Sequence, residues 1–468
     1  IQQSGKIVLA GKTFNGNDMD NAIVRLLTSG QLDTSFNTGG KHTFDLLTLN
    51  ELHTNVISIA NDGLIATGFI DLAPNALFAT YRLSSSGALD TSFNTVGATY
   101  NVDWSGAGFG VADLSNGAFV VVGPLNNMVD DDFVLFRYQS TGVPAISGAI
   151  DVGFATNGVN LINISGADFA TGLVATTDGK LVLGGYNAAD FVSMRFTSLG
   201  SLDTSFNTTG VVVVDFSGTD LAYTMLLQTD GRYILGGNDG TPDAVLVRIN
   251  PDGSLDSSYH TDGKVTHTLS ASSDKFRAML LQTDGQLLVA GHAAPAGNDF
   301  ALVRVNTDGL LDTSWSTDGR ATYGVGSDDL GLSISLSTDG KAHVSGVSYV
   351  ATNYDASFVR FTTDGILDTS FHTDGKNTGD ISGASKQDYV FATTLDPENR
   401  ITAVGDGDNK HFAARLLTDG FFDTSFMTDG MHYMANPGGR LTTVQTLPSQ
   451  KTLAGGYDTA NFSLVRLN

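Results

Sequence analysis

The sequence of 468 residues contains no cysteine, so neither a disulfide framework nor a cysteine-based catalytic or metal site can exist in it. Proline is scarce, with 9 residues, and the 55 glycines are spread evenly, so no Pro- or Gly-rich linker divides the chain. No apolar run reaches the roughly 18 residues that a membrane-spanning helix needs. These absences argue against a disulfide-stapled fold and against direct membrane insertion.

Glutamate is nearly absent as well. The chain carries 49 acidic residues, but only Glu51 and Glu398 are glutamates, so almost all of the negative charge lies on aspartate. Aspartate favours turns over helix interiors because its side chain competes for nearby backbone hydrogen bonds. The composition therefore predicts an all-β chain, in which general acid-base catalysis would depend on pairs of aspartates.

Basic residues are few, since 25 Lys and Arg leave a formal net charge of −24. Such a chain repels phosphates, which makes nucleic acid and anionic membrane poor partners. Divalent cations and a salty exterior are compatible with this charge, so we expect no cofactor except, at most, calcium. The alternative explanation of the charge is solubility alone.

A polar heptad recurs through the chain. LDTSFNT begins at Leu32, Leu89 and Leu202, and degenerate copies begin at Ile150, Leu255, Leu311, Leu367 and Phe422. The eight copies follow one another at intervals of 52 to 61 residues. A period of this size is typical of propeller blades and β-arrays.

Each module contains four short runs bounded by turn residues, which we name strands a to d. In one module they read AYTMLLQ (a), GRYILGG (b), DAVLVRI (c) and VTHTL (d), and the heptad lies between c and d. Runs of four to eight residues with such boundaries predict a four-stranded antiparallel meander. Strands b and c occur nine times, and strands d and a occur eight times.

One small meander cannot bury both of its faces, so neighbouring copies must pack against each other. We therefore predict an all-β fold, a β-propeller of four-stranded antiparallel blades, forming a single domain over residues 1–468. Nine repeat units are favoured, with incomplete terminal ones, and eight blades with a surplus strand pair remain open. The alternative is a tandem string of independent small domains. Units of under 60 residues, however, would be only marginally stable on their own.

An arginine ends each strand c, and in seven modules the heptad aspartate follows it by eight residues. This fixed offset across one turn predicts an ion pair that fixes the connection between strands c and d, in which the guanidinium binds the carboxylate through two parallel hydrogen bonds. In the third module a longer turn separates Arg137 from Asp151. A calcium or ligand site in every heptad is the alternative reading. The seven predicted pairs are Arg25 and Asp33, Arg82 and Asp90, Arg195 and Asp203, Arg248 and Asp256, Arg304 and Asp312, Arg360 and Asp368, and Arg415 and Asp423.

The module LVRINPDGSLDSSYHTDGKV, followed by AMLLQTDGQLLVAG, resembles the delta-60 repeat of large bacterial surface and secreted proteins. The resemblance covers essentially the whole chain. It implies a β-propeller-like fold in an exported bacterial protein and no common chemistry. The second and third modules depart from the pattern, so we expect irregular backbone there.

The connections between strands b and c and between d and a vary from module to module, whereas the other two connections are uniform. If the scaffold is constant, binding belongs at the variable edge. Aspartates there are weak candidates for a cation, although adjacent carboxylates are more often solvated. Other candidates are a metal pair of His292 and His343, and Trp104 as a stacking platform for a sugar, with burial between blades as its alternative. The candidate aspartates are Asp130, Asp131, Asp132, Asp406 and Asp408, and also Asp18 and Asp20.

No G-x-S-x-G, H-E-x-x-H, P-loop or dinucleotide motif occurs in the sequence. We therefore predict a non-enzymatic binding or adhesion scaffold, secreted or on a bacterial surface, whose partner is a glycan or a surface protein. Two alternatives stay open. One is a structural subunit of an extracellular filament or coat that associates with itself through exposed strands. The other is a glycan-active hydrolase or lyase at the propeller channel.

Overall fold

A computed structural model describes most of the chain. The described residues are 2, 4, 6–14, 19–27, 33–44, 50–59, 62–72, 75–91, 93, 98–106, 110–113, 119–126, 131–138, 153–154, 159–164, 166, 168–176, 178–241, 243–294, 297–381, 386–407, 410–426, 431–433, 440–446, 452–457 and 462–467. Two compact units divide the chain, the first formed by Ile1–Asp215 with Ala460–Phe462 and the second by Phe216–Thr459 with Ser463–Asn468. The single domain over residues 1–468 and the count of nine repeat units stay predictions.

All regular elements of the described residues are strands, which confirms the all-β class. No helix in the described ranges is long and apolar enough to cross a membrane. The first unit contains β1 (Ile7–Phe14), β2 (Met19–Leu26), β3 (Lys41–Phe44), β4 (Asn50–Ser58), β5 (Leu64–Leu72), β6 (Asn75–Leu83), β7 (Ala98–Gly106), β8 (Gly110–Asp113), β9 (Phe119–Asn126), β10 (Asp131–Tyr138), β11 (Val159–Ile162), β12 (Phe169–Ala175), β13 (Leu181–Tyr186), β14 (Phe191–Phe196) and β15 (Val211–Val214).

The rest of the chain continues the same pattern of short strands. These are β16 (Leu221–Leu227), β17 (Tyr233–Asn238), β18 (Ala244–Ile249), β19 (Lys264–His267), β20 (Lys275–Leu281), β21 (Leu287–Ala293), β22 (Asp299–Val305), β23 (Arg320–Tyr323), β24 (Asp329–Leu336), β25 (Ala342–Val350), β26 (Asn353–Phe361), β27 (Lys376–Gly379), β28 (Asp388–Leu395), β29 (Ile401–Gly407), β30 (Lys410–Leu416), β31 (Met431–Tyr433), β32 (Arg440–Thr446), β33 (Thr452–Tyr457) and β34 (Phe462–Leu467).

The second unit shows the predicted blade most clearly. Its four-stranded sheets have the orders β16-β17-β18-β19, β20-β21-β22-β23, β24-β25-β26-β27 and β28-β29-β30-β31, and every neighbouring pair is antiparallel. The first strands of successive sheets contact each other, β16 with β20, β20 with β24 and β24 with β28. Sequential four-stranded sheets packed in this manner confirm the β-propeller class.

The second and third modules do not form two separate sheets. One eight-stranded sheet combines them, in the order β11-β10-β9-β7-β6-β5-β4, and β8 also pairs with β9. The long strand β7 extends far enough for Ser105 and Gly106 to pair with Asn126 and Leu125 of β9. Irregular backbone was expected in these two modules, because their sequences depart from the repeat.

Strands b and c form the core of each sheet. In β17 and β18 every residue is buried, whereas the outer strand β19 alternates between buried and more exposed positions. A strand that is covered on both faces needs a nearly continuous apolar sequence, and an outer strand needs only one apolar face. Leu246, Phe276 and Val289 meet in one core cluster, so each interior is built from two successive sheets.

A β-bulge interrupts strand a at the same place in successive sheets. The register with strand b shifts between Ala222 and Thr224 in β16, and at equivalent places in β20, β24 and β28. A bulge leaves the extra residue unpaired with the neighbouring strand and changes the direction of its side chain. The residues in this position are Tyr223, Arg277, Leu332 and Phe391.

Candidate functional site

Each sheet has two edges with different chemistry. We call the edge with the a–b and c–d connections the clasp edge; in the sheet β24–β27 it comprises residues 337–341 and 362–375. We call the edge with the b–c and d–a connections the loop edge; in the same sheet it comprises residues 324–329 and 348–355. The predicted ion pairs belong to the clasp edge, and the predicted cation candidates belong to the loop edge.

The structure brings together all seven predicted arginine–aspartate pairs. In one well-packed example, Arg248 Nε donates to Asp256 Oδ2 over 2.7 Å, and both side chains are buried. The weakest is the pair of Arg82 and Asp90, at 3.1 Å with partly exposed side chains. The other Nε to Oδ2 distances are 2.8 Å for Arg25 and Asp33, 2.7 Å for Arg195 and Asp203, 2.8 Å for Arg304 and Asp312, 2.7 Å for Arg360 and Asp368, and 2.7 Å for Arg415 and Asp423.

The expected two-bond fork between guanidinium and carboxylate is wrong in its geometry. Only Oδ2 of Asp256 faces Arg248, because Oδ1 accepts the backbone N–H of Ser258 at 3.0 Å and its hydroxyl at 2.7 Å. The heptad serine therefore occupies the oxygen that a fork would use. The aspartate closes a local turn with one oxygen and binds arginine with the other, which explains why the heptad needs both Asp and Ser.

A second donor from the start of strand b joins the clasp aspartate in five modules, and sequence reasoning missed it. Lys341 Nζ lies 2.9 Å from Asp368 Oδ2, and Gln286 Nε2 lies 3.1 Å from Asp312 Oδ2. The signal was present in the residue after the turn glycine, as in GK, GR and GQ. The other examples join Lys6 with Asp33 at 3.0 Å, Lys180 with Asp203 at 3.0 Å and Arg232 with Asp256 at 3.1 Å.

These contacts hold the carboxylates of Asp33 and Asp312 in their ionised form. Burial raises the pKa of Asp33, but hydrogen bonds from Ser35 and Lys6 and the charge of Arg25 outweigh it, so the pKa falls well below its usual range. The same balance lowers the pKa of Asp312 to about 2. The clasp edge thus compensates its buried negative charge internally.

In four modules the arginine that ends strand c also bonds to the next module along the chain. Arg248 Nη1 donates to the carbonyl oxygen of Thr307 at 2.5 Å, in the c–d turn of the following sheet. The ring of Tyr259 is buried beneath Arg248 and against Gly309 of that same turn. The heptad therefore fixes the junction between sheets as well as the c–d corner. Equivalent arginine bonds run from Arg25 to Ser85, from Arg137 to Ser198 and from Arg360 to Thr418.

Aspartates at the beginning of strand a organise the loop edge, and sequence reasoning missed these too. Asp329 is fully buried, and its carboxylate accepts the N–H groups of Val325 at 2.7 Å and Gly326 at 2.9 Å. The position is aspartate in five successive modules, which is the signal that was overlooked. These residues are Asp168, Asp220, Asp274, Asp329 and Asp388.

Further aspartates at the beginning of strand c face this row. Burial and the nearby charge of Asp329 raise the pKa of Asp299. Asp355, Asp380 and Asp388 bring their carboxylate oxygens within 4.8 Å of one another. Burial, followed by the charges of Asp380 and Asp388, raises the pKa of Asp355 to about 6. Three such carboxylates are the residues here that could hold a hard divalent cation.

The cation candidates proposed from sequence occupy different positions. Asp132 and Asp406 are buried within β10 and β29, and Asp20 is buried in β2, so none of them is a solvated loop residue. Asp18, Asp130 and Asp408 lie outside the described residues, as does Asp151. The side chains of Asp131 and Trp104 are likewise outside the description.

The proposed histidine pair is not assembled. His292 pairs with Lys275 at the beginning of β20, whereas His343 pairs with Ser335 near the end of β24. Since both are in strand b, these registers put His292 toward the loop edge and His343 toward the clasp edge. Burial lowers the pKa of His292 to about 4 and that of His343 to about 3, so both imidazoles are neutral core groups at pH 7.

Two cavities in the described residues lie at the clasp edge. One of about 630 Å³ is lined by residues that include Lys6, Arg25 and Ser85, and one of about 210 Å³ by residues that include Lys341, His343 and Arg360. Asp33 and Asp368 already neutralise the cations in them. At the loop edge, by contrast, the buried carboxylate of Asp355 has no ion pair among the described residues.

Comparison with known proteins finds a family model that matches five stretches of the chain. The family model described as "Domain of unknown function (DUF5122) beta-propeller" matches residues 2–36, 176–206, 228–259, 282–314 and 338–371. No curated protein matches the sequence. Each matched stretch runs from strand b through strand c into the heptad.

Solved structures with related architecture share little sequence with the chain. Sqt1 of Chaetomium thermophilum is 14% identical with a TM-score of 0.46, covering 88% of this chain and 94% of that one. A catalytically inactive virginiamycin B lyase of Staphylococcus aureus is 12% identical with a TM-score of 0.43, covering 79% and 96%. Drosophila Plexin A, in complex with Semaphorin 1b, is 10% identical with a TM-score of 0.39, covering 76% and 84%. At such identities these proteins say nothing about what this chain does.

Proposed function

We propose that this β-propeller repeat protein is a non-enzymatic binding scaffold, secreted or on a bacterial surface, which holds a glycan or a surface protein at its loop edge. The clasp edge is engaged in joining modules and varies little between them. The loop edge varies in sequence, and its backbone is anchored by the buried aspartates of strand a. A constant scaffold with one variable edge is the usual arrangement of a binding protein.

The observation that carries this proposal is the difference in charge compensation between the two edges. Every clasp aspartate has an arginine within ion-pair distance, and most have a second donor. Among the described residues, no ion pair joins Asp299 or Asp355, and the pKa of each is raised. A buried carboxylate without a counter-ion costs free energy, so a ligand that brings positive charge or hydrogen-bond donors to the loop edge recovers part of that cost.

The proposal is tested with two variants that remove the same formal charge from opposite edges. Asp299→Asn with Asp355→Asn changes the loop edge, and Asp308→Asn with Asp364→Asn changes exposed turns of the clasp edge. Both proteins and the parent chain are applied to a glycan array and to an array of extracellular bacterial proteins. We expect at least one ligand that the parent chain and the clasp-edge variant bind equally and that the loop-edge variant binds at least tenfold more weakly. Equal binding by both variants would overturn the assignment.

The loop edge also supports a second candidate, a glycan-active hydrolase or lyase. Asp355 has a pKa raised to about 6 and lies beside Asp380 and Asp388, which is the arrangement that separates a protonated acid from an ionised partner. In that case Asp355→Asn abolishes turnover of a glycan library, whereas a scaffold binds the same glycans without cleaving any. Product formation that Asp355→Asn leaves unchanged would exclude this candidate.

A further inference from the structure

Four aromatic side chains form a continuous row at the loop edge of the second unit. The ring centroids of Tyr349 and Tyr354 are 5.1 Å apart with an interplanar angle of 74°, and those of Tyr354 and Tyr389 are 5.8 Å apart. The rings of Tyr389 and Phe391 stack at 6.3 Å with an angle of 7°. All four side chains are half-buried, so the row is part of the surface.

Backbone geometry puts these rings together. The strands β25 and β26 are extended to a tight turn in which Ala351 has a φ of 57°, and Tyr349 and Tyr354 are direct cross-strand partners just before that turn. Tyr389 and Phe391 are two residues apart on β28, and the stacking of their rings shows that both lie on the same side of the strand. Phe391 is the residue in the β-bulge, which turns it out of the ladder.

Carboxylates surround the row. The Tyr354 hydroxyl donates to Asp328, whose other oxygen accepts from Asn298 Nδ2 at 2.5 Å. Asp355 follows Tyr354 in β26 and belongs to the group of three carboxylates described above. No ion pair joins Asp328 or Asp355 in the part of the chain that the structure describes. The Asp328 carboxylate thus places a negative charge beside the aromatic row.

The molecule contains an internal example of what this bulge position binds. Tyr223 occupies the bulge of β16, and Arg277 occupies the bulge of the neighbouring β20. The guanidinium carbon of Arg277 lies 4.5 Å from the centroid of the Tyr223 ring. An aromatic ring in this position is therefore presented at the distance and orientation that a guanidinium requires.

We infer that the aromatic row of Tyr349, Tyr354, Tyr389 and Phe391 binds a guanidinium or ammonium side chain of a polypeptide partner. This inference rests on the proposed function, since it names the ligand chemistry of the same edge. The ring faces attract the cation through their quadrupoles, and the carboxylates of Asp328 and Asp355 supply the counter-charge. A neutral sugar would use the rings and leave the carboxylates uncompensated, and a bare divalent cation would use the carboxylates alone.

The test uses two peptides that differ in charge and match in shape, hexa-arginine and hexa-citrulline. Both are titrated into the full chain at constant ionic strength, followed by calorimetry and by the NMR signals of the tyrosine ring protons. We expect hexa-arginine to bind and to shift ring resonances, and hexa-citrulline to do neither. Tyr349→Leu and Tyr354→Leu each weaken hexa-arginine binding by about three- to thirtyfold, the range expected for one lost cation–π contact. Tyr349→Phe and Tyr354→Phe, which keep the ring, bind within about twofold of the parent chain.

The outcomes separate this inference from the proposed function. If the Leu variants bind hexa-arginine as tightly as the parent chain while Asp299→Asn with Asp355→Asn still loses its array ligand, the aromatic row is not the site and the scaffold proposal survives. Equal binding of hexa-citrulline would likewise overturn the inference. If the Leu variants lose hexa-arginine while no array ligand distinguishes the two edges, the cation site stands and the wider scaffold proposal falls. Ring-proton shifts in the unmodified chain keep the test valid should a Leu variant fold poorly.

Discussion

At the scale of single residues, the heptad aspartate satisfies more partners than its size suggests. Asp256 binds Arg248 and Arg232 with one oxygen and closes the turn to Ser258 with the other. Asparagine has the same shape but would turn an N–H₂ group toward the two cations. The carboxylate is therefore needed for its charge and not only for its turn geometry.

We predict that Asp256→Asn lowers the free energy of unfolding by about 1 to 3 kcal/mol, because the buried Arg248 and the more exposed Arg232 lose their charged acceptor. Asp262→Asn is the matched control, since Asp262 is exposed and only accepts the N–H of Lys264 at 3.1 Å. Its effect is expected to stay within about 0.5 kcal/mol. Urea unfolding of both variants checks this, and equal midpoints would show that the clasp contributes nothing to stability.

The contribution of Asp355 to folding stability changes with pH in the opposite direction from that of Asp312 and the other clasp aspartates with a lowered pKa. Its pKa is raised to about 6 in the folded chain from 3.8, so its contribution to stability is fully present below the unfolded pKa and is lost as pH rises through 6. We predict that the melting temperature of Asp355→Asn minus that of the parent chain increases as pH rises from about 4 to about 8. The exposed Asp364→Asn serves as control. A melting difference that does not change with pH would contradict the assigned shift.

At the scale of elements, the c–d turn and the preceding heptad form one joint. The turn glycine Gly309 has a φ of +88°, and a Cβ there would lie 3.0 Å from the Tyr259 ring. Glycine is thus required for two reasons. The backbone has a positive φ, and the ring of Tyr259 from the neighbouring module leaves too little space for a Cβ. The His260 N–H, which donates to the carbonyl oxygen of Asp308 at 2.5 Å, closes the same joint.

We predict that Gly309→Ala is more destabilising than Gly285→Ala. Gly285 has almost the same φ, +84°, and the same turn hydrogen bond, but a Cβ there meets only a threonine methyl at 3.3 Å. Both variants suffer about 1 kcal/mol of backbone strain, and Gly309→Ala adds about 1 to 3 kcal/mol from the ring contact. Thermal melting of the pair measures the difference, and equal losses would show that the ring does not hold the turn.

The sequence predicts elements better than it predicts the joints between them. The offset of eight residues between Arg248 and Asp256 is visible because one local turn sets it. The bond from Arg248 to Thr307 is not visible, because it depends on which neighbouring sheet the side chain meets. Lys341 and Asp329 were missed for a different reason, although both recur at fixed places. The role of Lys341 is visible only when strand b lies beside the clasp, and that of Asp329 only when strand a lies beside the d–a connection. The eight-stranded sheet could not be foreseen, since nothing local reveals that β7 reaches β9.

At the scale of the whole molecule, the clasps set the response to acid. The pKa values of Asp33, Asp203, Asp312 and Asp368 are lowered, so their contribution to stability is present above the unfolded aspartate pKa and is lost as pH falls through the folded values. Several clasps repeat this behaviour along the chain. Their protonation is therefore coupled to unfolding as a group, below the range in which free aspartates titrate.

We predict that the β-sheet circular dichroism signal persists as pH falls through about 4 and is lost at lower pH in a transition that takes up more than one proton. The lowered pKa of Asp312, about 2, marks the region where the clasps fail. An acid titration that compares the circular dichroism signal with proton uptake measures this. A midpoint above pH 4 would contradict the clasp as the main source of acid resistance.

The joint between modules has a direction. At five junctions a module offers an aromatic ring to its successor, and the successor offers a glycine turn, as Tyr259 and Gly309 show. Such an interface is head-to-tail, because unlike surfaces meet at these junctions. Copies can then be added or removed between equivalent residues, and the new junction has the same chemistry as the one it replaces. Chain length in this kind of protein can therefore change by whole modules during gene duplication without any new interface having to evolve.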